Sequence, residues 1–280
     1  MSMKHFGPGS QPTGHDTTEL AVLQLPSGME TYAVPALPEP AVVAELTEAK
    51  EALYRLSGML AAWPAAAARE AMDLTLLSPA DRTLIDQVLG EGEVSIVMGG
   101  DRPAYIQESV LAGVWRIKTM NAAGRLLSDS LEVGPIPRPV AQQAFAGARE
   151  RIRRPMQLPA GVASAPALIS EINEHCAAWR PGMPPHVINL TLMPRSEADM
   201  TVLAECLGPG LVTILSRGYG NCRITSTGTR HVWWVRYFNS QDRNILDSLE
   251  ITGVPNVACA APEDIADSAL RLDEILESLR

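Results

Sequence analysis

The chain has 280 residues, 46% of them hydrophobic, and a formal net charge of −9. That length buries one large core or two modest ones, and the acidic balance argues against a nucleic-acid partner, because phosphate contacts need a basic surface. No apolar run approaches the roughly 20 residues that span a bilayer, and the N-terminus lacks a charged head followed by an apolar stretch, so no membrane association and a cytoplasmic location are expected.

Residues 1–40 hold Gly7-Pro8-Gly9-Ser10-Gln11-Pro12 and scattered prolines with only short apolar patches. Such a segment forms no core of its own and is expected to be an extended, partly disordered, flexible N-terminal arm. From Ala41 to Trp63 apolar residues recur at three-to-four spacing, which predicts an amphipathic helix stopped by Pro64. A short strand at 74–77 follows, then a helix from Ser78-Pro79 to Gly90, bounded by proline at its start and glycine past its end. Residues 94–98, 105–111, 114–120 and 125–131 read as an antiparallel meander separated by Gly- and Asn-containing turns. Residues 149–162, rich in arginine and proline, read as an exposed linker. The same order then returns: a helix at 165–179, a strand at 188–193, a helix from Ser196 to Gly208, and strands. A last helix, opened by Pro262-Glu263-Asp264, occupies 263–280.

The recurrence is visible residue by residue. An offset of 116 places Ala61-Ala62-Trp63 on Ala177-Ala178-Trp179, and after a two-residue insertion an offset of 118 aligns 89–137 with 207–255. In that stretch 16 of 49 positions are identical, against about three expected by chance, which marks a repeat. Gly92/Gly210, Trp115/Trp233, Asn121/Asn239 and the run Asp-Ser-Leu-Glu at 129–132 and 247–250 are among them. The expected fold is α+β: an internal duplication of a helix-strand-helix-(four-strand antiparallel meander) unit, giving two similar lobes at 41–148 and 163–262 with helices on one sheet face.

Residues shared by both copies report what the fold needs, and unusual residues in one copy report what that copy does. The unusual stretch is Ser216 to Arg223, opposite Met98 to Tyr105. Gly218 and Gly220 permit a tight turn, while Arg217, Tyr219, Asn221 and Arg223 supply polar contacts. The next strand adds Arg230, His231, Trp234 and Arg236. Strand alternation puts Trp233 and Trp234 on opposite faces, one in the core and the other expected to be exposed. Arginine beside tryptophan and tyrosine suits a protein-binding surface. The plainer reading is a hairpin with surface ion pairs.

Other chemistries stay open at this level. Cys222, His231 and Asp247 occur in the order used by transglutaminase-type thiol enzymes, although Cys222 lies in a predicted strand rather than at a helix N-terminus. Cys206, Cys222 and Cys259 would offer thiolates for an iron–sulfur cluster, but no C-x-x-C or zinc-ligand spacing joins them or Cys176. No phosphate loop, dinucleotide fingerprint or paired carboxylates are present, and neither catalysis nor a metal or other cofactor is expected. Glu91-Gly92-Glu93 reads as a solvated acidic turn.

Gly90-Glu91-Gly92-Glu93-Val94-Ser95, Gly113-Val114-Trp115-Arg116, Ser196-Glu197-Ala198-Asp199, Arg217-Gly218-Tyr219-Gly220, Arg230-His231-Val232-Trp233 and Ala261-Pro262-Glu263-Asp264, together with the Gly7 to Pro12 element, follow one another along the whole chain. In this series the chain resembles the HupH/HyaF/HoxQ proteins of nickel–iron (NiFe) hydrogenase operons. The resemblance implies a maturation accessory protein: a chaperone of the iron–sulfur small-subunit precursor of an uptake hydrogenase before Tat export, working with a thioredoxin-like HupG/HyaE-type partner. It implies no catalytic residues. The net negative charge would suit a precursor whose export signal is basic.

Overall fold

The computed structural model describes residues 45–63, 70–218 and 220–279; the N-terminal arm and Tyr219 lie outside them. Helix α1 (Thr47–Ala62) leads to the short strand β1 (Met72–Asp73), helix α2 (Pro79–Leu89) and a meander of β2 (Val94–Met98), β3 (Ala104–Glu108), β4 (Val114–Met120) and β5 (Leu126–Val133). After a short helix α3 (Arg138–Gln143) the order repeats as α4 (Ala165–Ala178), β6 (His186–Asn189), α5 (Glu197–Leu207), β7 (Pro209–Ser216), β8 (Asn221–Thr227), β9 (Val232–Phe238) and β10 (Asn244–Ile251). Helix α6 (Pro262–Ser278) closes the chain.

All ten strands form one antiparallel sheet in the order β1-β5-β4-β3-β2-β7-β8-β9-β10-β6. The order reads alike from either edge, and the halves join through β2 and β7. Two meanders with free edge strands would each expose a row of unpaired backbone groups; joining them satisfies both. The two expected lobes are therefore continuous through a shared sheet.

Local chemistry is repeated as closely as topology. Ser78 and Ser196 cap α2 and α5, each accepting a hydrogen bond from the N–H three residues on (Asp81, Asp199). Asp81 accepts the Ala49 N–H near the start of α1, and Asp199 those of residues 163–165 near the start of α4. Asp73 and Asn189 accept from the N–H of Thr75 and Thr191. This Asx turn ends the strand early, so the strand expected at 74–77 lies instead at Met72–Asp73. Leu74 turns inward and Leu76 is 94% exposed. The strand expected at 188–193 likewise breaks into β6 and a 3₁₀ turn, Leu190–Leu192.

Three apolar cores result. On one sheet face α1, α2 and α6 cover the first half, burying Leu53, Leu56, Ile85, Val88, Leu131, Ile265 and Leu272. On the same face α4 and α5 cover the second half over Ile188, Val232, Trp234 and Leu249. On the opposite face a central core of Ile96, Ile106, Trp115, Ile214, Ile224 and Trp233 lies under α3 and residues 254–259. Two stretches of chain cross beneath the sheet there and touch where the Ala260 N–H donates to the Pro135 carbonyl, 2.9 Å away. The second crossing carries α6 back onto the first half. Residues 149–162 are not simply an exposed linker. Ile152 is buried in the second helical core, and Arg149 pairs with Thr229 and donates to the Cys206 and Leu207 carbonyls.

Candidate functional site

Between the two helical layers the sheet face is bare of helix among the described residues. Burial alternates along β2 and β3 and through residues 212–216 of β7 and 221–225 of β8: the inward side chains are buried, the apolar ones in the central core, and the outward ones are exposed or half-buried. Strand register places Val97 beside Tyr105 and Thr213, Leu215 beside Arg223, and Arg223 beside Arg236. Lys118 stands beside Tyr105 on the other side. The result is an open strip running across the junction of the halves, with Tyr105 47% exposed. Arg223 lies over the Phe238 ring and Arg236 over the Trp234 ring, 4.8 Å from its centroid. At its borders Asp129 pairs with Arg116, and Asp247 accepts the Trp234 indole N–H.

The residues singled out by sequence divide among four places. Arg217, Gly218, Gly220 and Asn221 form the exposed β7–β8 turn, where the Arg217 N–H donates to the Glu93 carbonyl. The Glu93 carboxylate sits so close to Gly218 that a Cβ there would meet it, so the acidic 91–93 segment is a neighbour of the turn. Arg223 and Arg236 lie on the strip. Arg230 and His231 occupy the opposite end of the sheet. His231 takes a left-handed backbone (φ 67°) and stacks on Trp179 at 3.9 Å, and burial, helped by Arg230, lowers its pKa. Trp234 is 9% exposed, packed between the sheet and the second helical layer. The expectation that one of the two tryptophans is exposed is thus corrected, because α4 and α5 cover the face to which alternation assigns Trp234.

The thiol alternatives fare differently from the surface. Cys222 pairs with Tyr237 at one end of β8, whereas His231 lies past its other end, about 17 Å along the strand. Asp247 points to the other sheet face. These three groups do not assemble. Burial pushes the Cys222 thiol up to about 11, and Cys176 and Cys259 likewise, which keeps them protonated and unreactive. Cys206 belongs to the second helical core, with the sheet between it and Cys222 and Cys259.

Sequence reasoning missed the first half's share of the strip. Tyr105 and Lys118 align with Arg223 and Arg236 by the offset of 118, and only the β2–β7 pairing brings all four onto one surface. That pairing is long-range and leaves no local signal.

The chain also has known relatives. A model of the HupH hydrogenase expression protein, C-terminal conserved region, matches residues 37–157 and again 162–279. The hydrogenase expression/formation protein HoxQ of Cupriavidus necator is 45% identical over 272 residues, 97% of this chain and 95% of its own. HupH of Rhodobacter capsulatus is 45% identical over 98% of this chain and 96% of its own. The hydrogenase-1 operon protein HyaF of Escherichia coli is 34% identical over 98% and 95%. A solved structure of hydrogenase expression protein HupH from Thiobacillus denitrificans matches 41% of this chain and 96% of its own, at 24% identity and a TM-score of 0.39. Matched over nearly its whole length, the chain belongs to the HupH/HoxQ/HyaF family of hydrogenase expression proteins.

Proposed function

We propose that this protein is a cytoplasmic maturation chaperone of an uptake nickel–iron hydrogenase, and that it holds the iron–sulfur small-subunit precursor before Tat export. The relatives are named for hydrogenase expression and formation, and the observation that carries a holding role is the open strip between the helical layers. A floor of sheet backbone with a half-exposed tyrosine and Lys118, Arg223 and Arg236 offers both apolar contact and charge-assisted hydrogen bonds. Tyrosine and arginine are the residue types enriched where binding energy concentrates. The exposed Arg217, Gly218, Gly220 and Asn221 at the β7–β8 turn extend this surface at one end.

The sign of the local charge refines the client segment. The chain as a whole carries −9, but the strip is cationic, so it suits an acidic stretch of the precursor rather than a basic export signal. A thioredoxin-like HupG/HyaE-type protein would then act beside this one as a second accessory factor. Two aligned halves and two matches of one family model further support descent from a duplicated single unit, in which Tyr105/Arg223 and Lys118/Arg236 have diverged.

Co-purification with the precursor from cells expressing the hydrogenase operon tests the reading. Arg223→Glu with Arg236→Glu is expected to abolish capture, and Arg217→Ala with Tyr219→Ala to weaken it. Undiminished capture by folded variants of the strip would reject this surface, and capture of no hydrogenase subunit by the wild type would reject the function.

A further inference from the structure

On the second half, away from the strip, Glu171 and His175 lie four residues apart on one face of α4, and His186 opens the edge strand β6 beside them. His186 Nε2 is 2.9 Å from Glu171 Oε1, and the rings of His175 and His186 stack with centroids 3.3 Å apart and planes 8° from parallel. One ligating atom of each residue lies within 4.8 Å of the other two, and all three residues are half-buried. No other trio of His, Cys, Asp or Glu converges in this way among the described residues.

The aligned positions of the first half give this cluster its meaning. An offset of 116 puts Arg55, Met59 and Glu70 in these three places, and Arg55 and Glu70 form an ion pair of 4.0 Å. Both halves tie the first helix to the edge-strand segment at the same point. In the first half the tie is complete in itself, a guanidinium against a carboxylate. In the second the same point holds one carboxylate and two imidazoles, the His₂Glu donor set that leaves a fourth position for water. A His–Glu hydrogen bond alone accounts for Glu171 and His186 but assigns nothing to His175.

We propose that Glu171, His175 and His186 bind one divalent cation of the zinc type. Two imidazoles and one carboxylate favour such a borderline ion over magnesium or calcium, which take oxygen ligands. Parallel stacked rings do not aim two lone pairs at one point, so one imidazole turns about its Cβ–Cγ bond as the ion enters. The ligand atoms then close to about 3.3 Å, the edge of a tetrahedron with bonds of about 2.0–2.1 Å. To ligate through Nε2, a neutral His186 carries its proton on Nδ1 instead, and binding weakens in acid because a protonated imidazole or carboxyl does not ligate. The bound ion replaces the direct hydrogen bond as the clamp between α4 and β6.

Titration of the chelator-treated full chain with Zn²⁺ in a calorimeter, and with Co²⁺ in a visible spectrometer, tests this. One equivalent is expected to bind, with the visible bands of a tetrahedral Co²⁺ site and no intense thiolate charge-transfer band. Glu171→Gln, His175→Ala and His186→Gln are each expected to weaken Zn²⁺ binding by more than about tenfold, the loss seen even for outer-shell partners. His5→Ala with His15→Ala, in the arm, should leave it unchanged. Glu171→Gln keeps the helix and a hydrogen bond to His186, so its effect reads ligation rather than folding. The absence of binding to wild type, a thiolate spectrum, or unchanged affinity in the His175→Ala/His186→Gln double variant would each overturn the site.

Discussion

Ile96 and Ile214 face each other across the β2–β7 junction, and the offset of 118 that aligns the two halves makes them equivalent positions. A residue paired with its own equivalent marks a local two-fold axis, and the sheet order on either side of that pair is the same. Each position on the strip therefore has a counterpart running in the other direction, but the side chains differ, with Tyr105 and Lys118 on one side and Arg223 and Arg236 on the other.

The return of α6 to the first half sets the first prediction. Leu272 is fully buried there against α1 and α2, so Leu272→Ala is expected to cost about 2–5 kcal/mol in urea denaturation. A chain ending at residue 261 should lose the first-half core and aggregate. A soluble truncated chain with a wild-type unfolding transition would contradict this account of the core.

Gly92 and Gly210 are identical in both halves because neither position has room for a side chain. A Cβ on Gly92 would run into the Ser109 carbonyl, and one on Gly210 into the Ser226 backbone. Each Gly→Ala change is expected to destabilise by about 1–3 kcal/mol, whereas Gly58→Ala, which meets nothing nearby, should be neutral or slightly stabilising on the exposed helix. Thermal unfolding of the three variants gives the comparison.

Two carboxyls give stability opposite dependences on pH. Hydrogen bonds, foremost from the Ser196 N–H, hold Asp199 well below the usual carboxylate range. Its contribution is present above an unfolded value of 3.8 and is lost as pH falls towards the folded one. Burial pushes Glu108 up from 4.5 to about 7, against the hydrogen bond from the Gly113 N–H. Its contribution is full below 4.5 and is lost as pH rises through 7. Glu108→Gln keeps the acceptor for Gly113 and should leave the variant more stable than wild type above pH 7, and Asp199→Ala should flatten the acid limb. Denaturation curves between pH 3 and 9 check both.

The thiols should be silent in the folded chain. With Cys176, Cys222 and Cys259 at about 11, roughly one molecule in a thousand carries a given thiolate at pH 8. Labelling by a thiol reagent is expected to be slow until denaturant is added. Fast modification of Cys222 alone in native protein would revive the idea of a reactive thiol.

Much of the architecture was legible in the chain. Helix boundaries at Ser78, Ser196 and Pro262 carry local capping signals, and the paired Trp115/Trp233 and Asn121/Asn239 mark shared scaffold: both indoles donate to carbonyls after the last strand of their half, and both asparagines close the turn that follows. What escaped were features fixed by distant neighbours. Nothing around Trp234 announces that α4 and α5 will cover it, and nothing near Tyr105 announces Arg223. The Glu171–His175 spacing was visible on its helix, but His186 enters only through the fold of β6 beside α4.

The crossing that brings α6 home also fixes an order in time. On the ribosome, α1 to β5 emerge long before Pro262, which follows Val133 by more than a hundred residues, roughly 5–25 s of synthesis. Throughout that interval Leu53, Leu56 and Ile85 lack the helix that shields them. A factor proposed to shelter an unfinished subunit is thus itself, for its whole period of synthesis, an unfinished chain with an open apolar face.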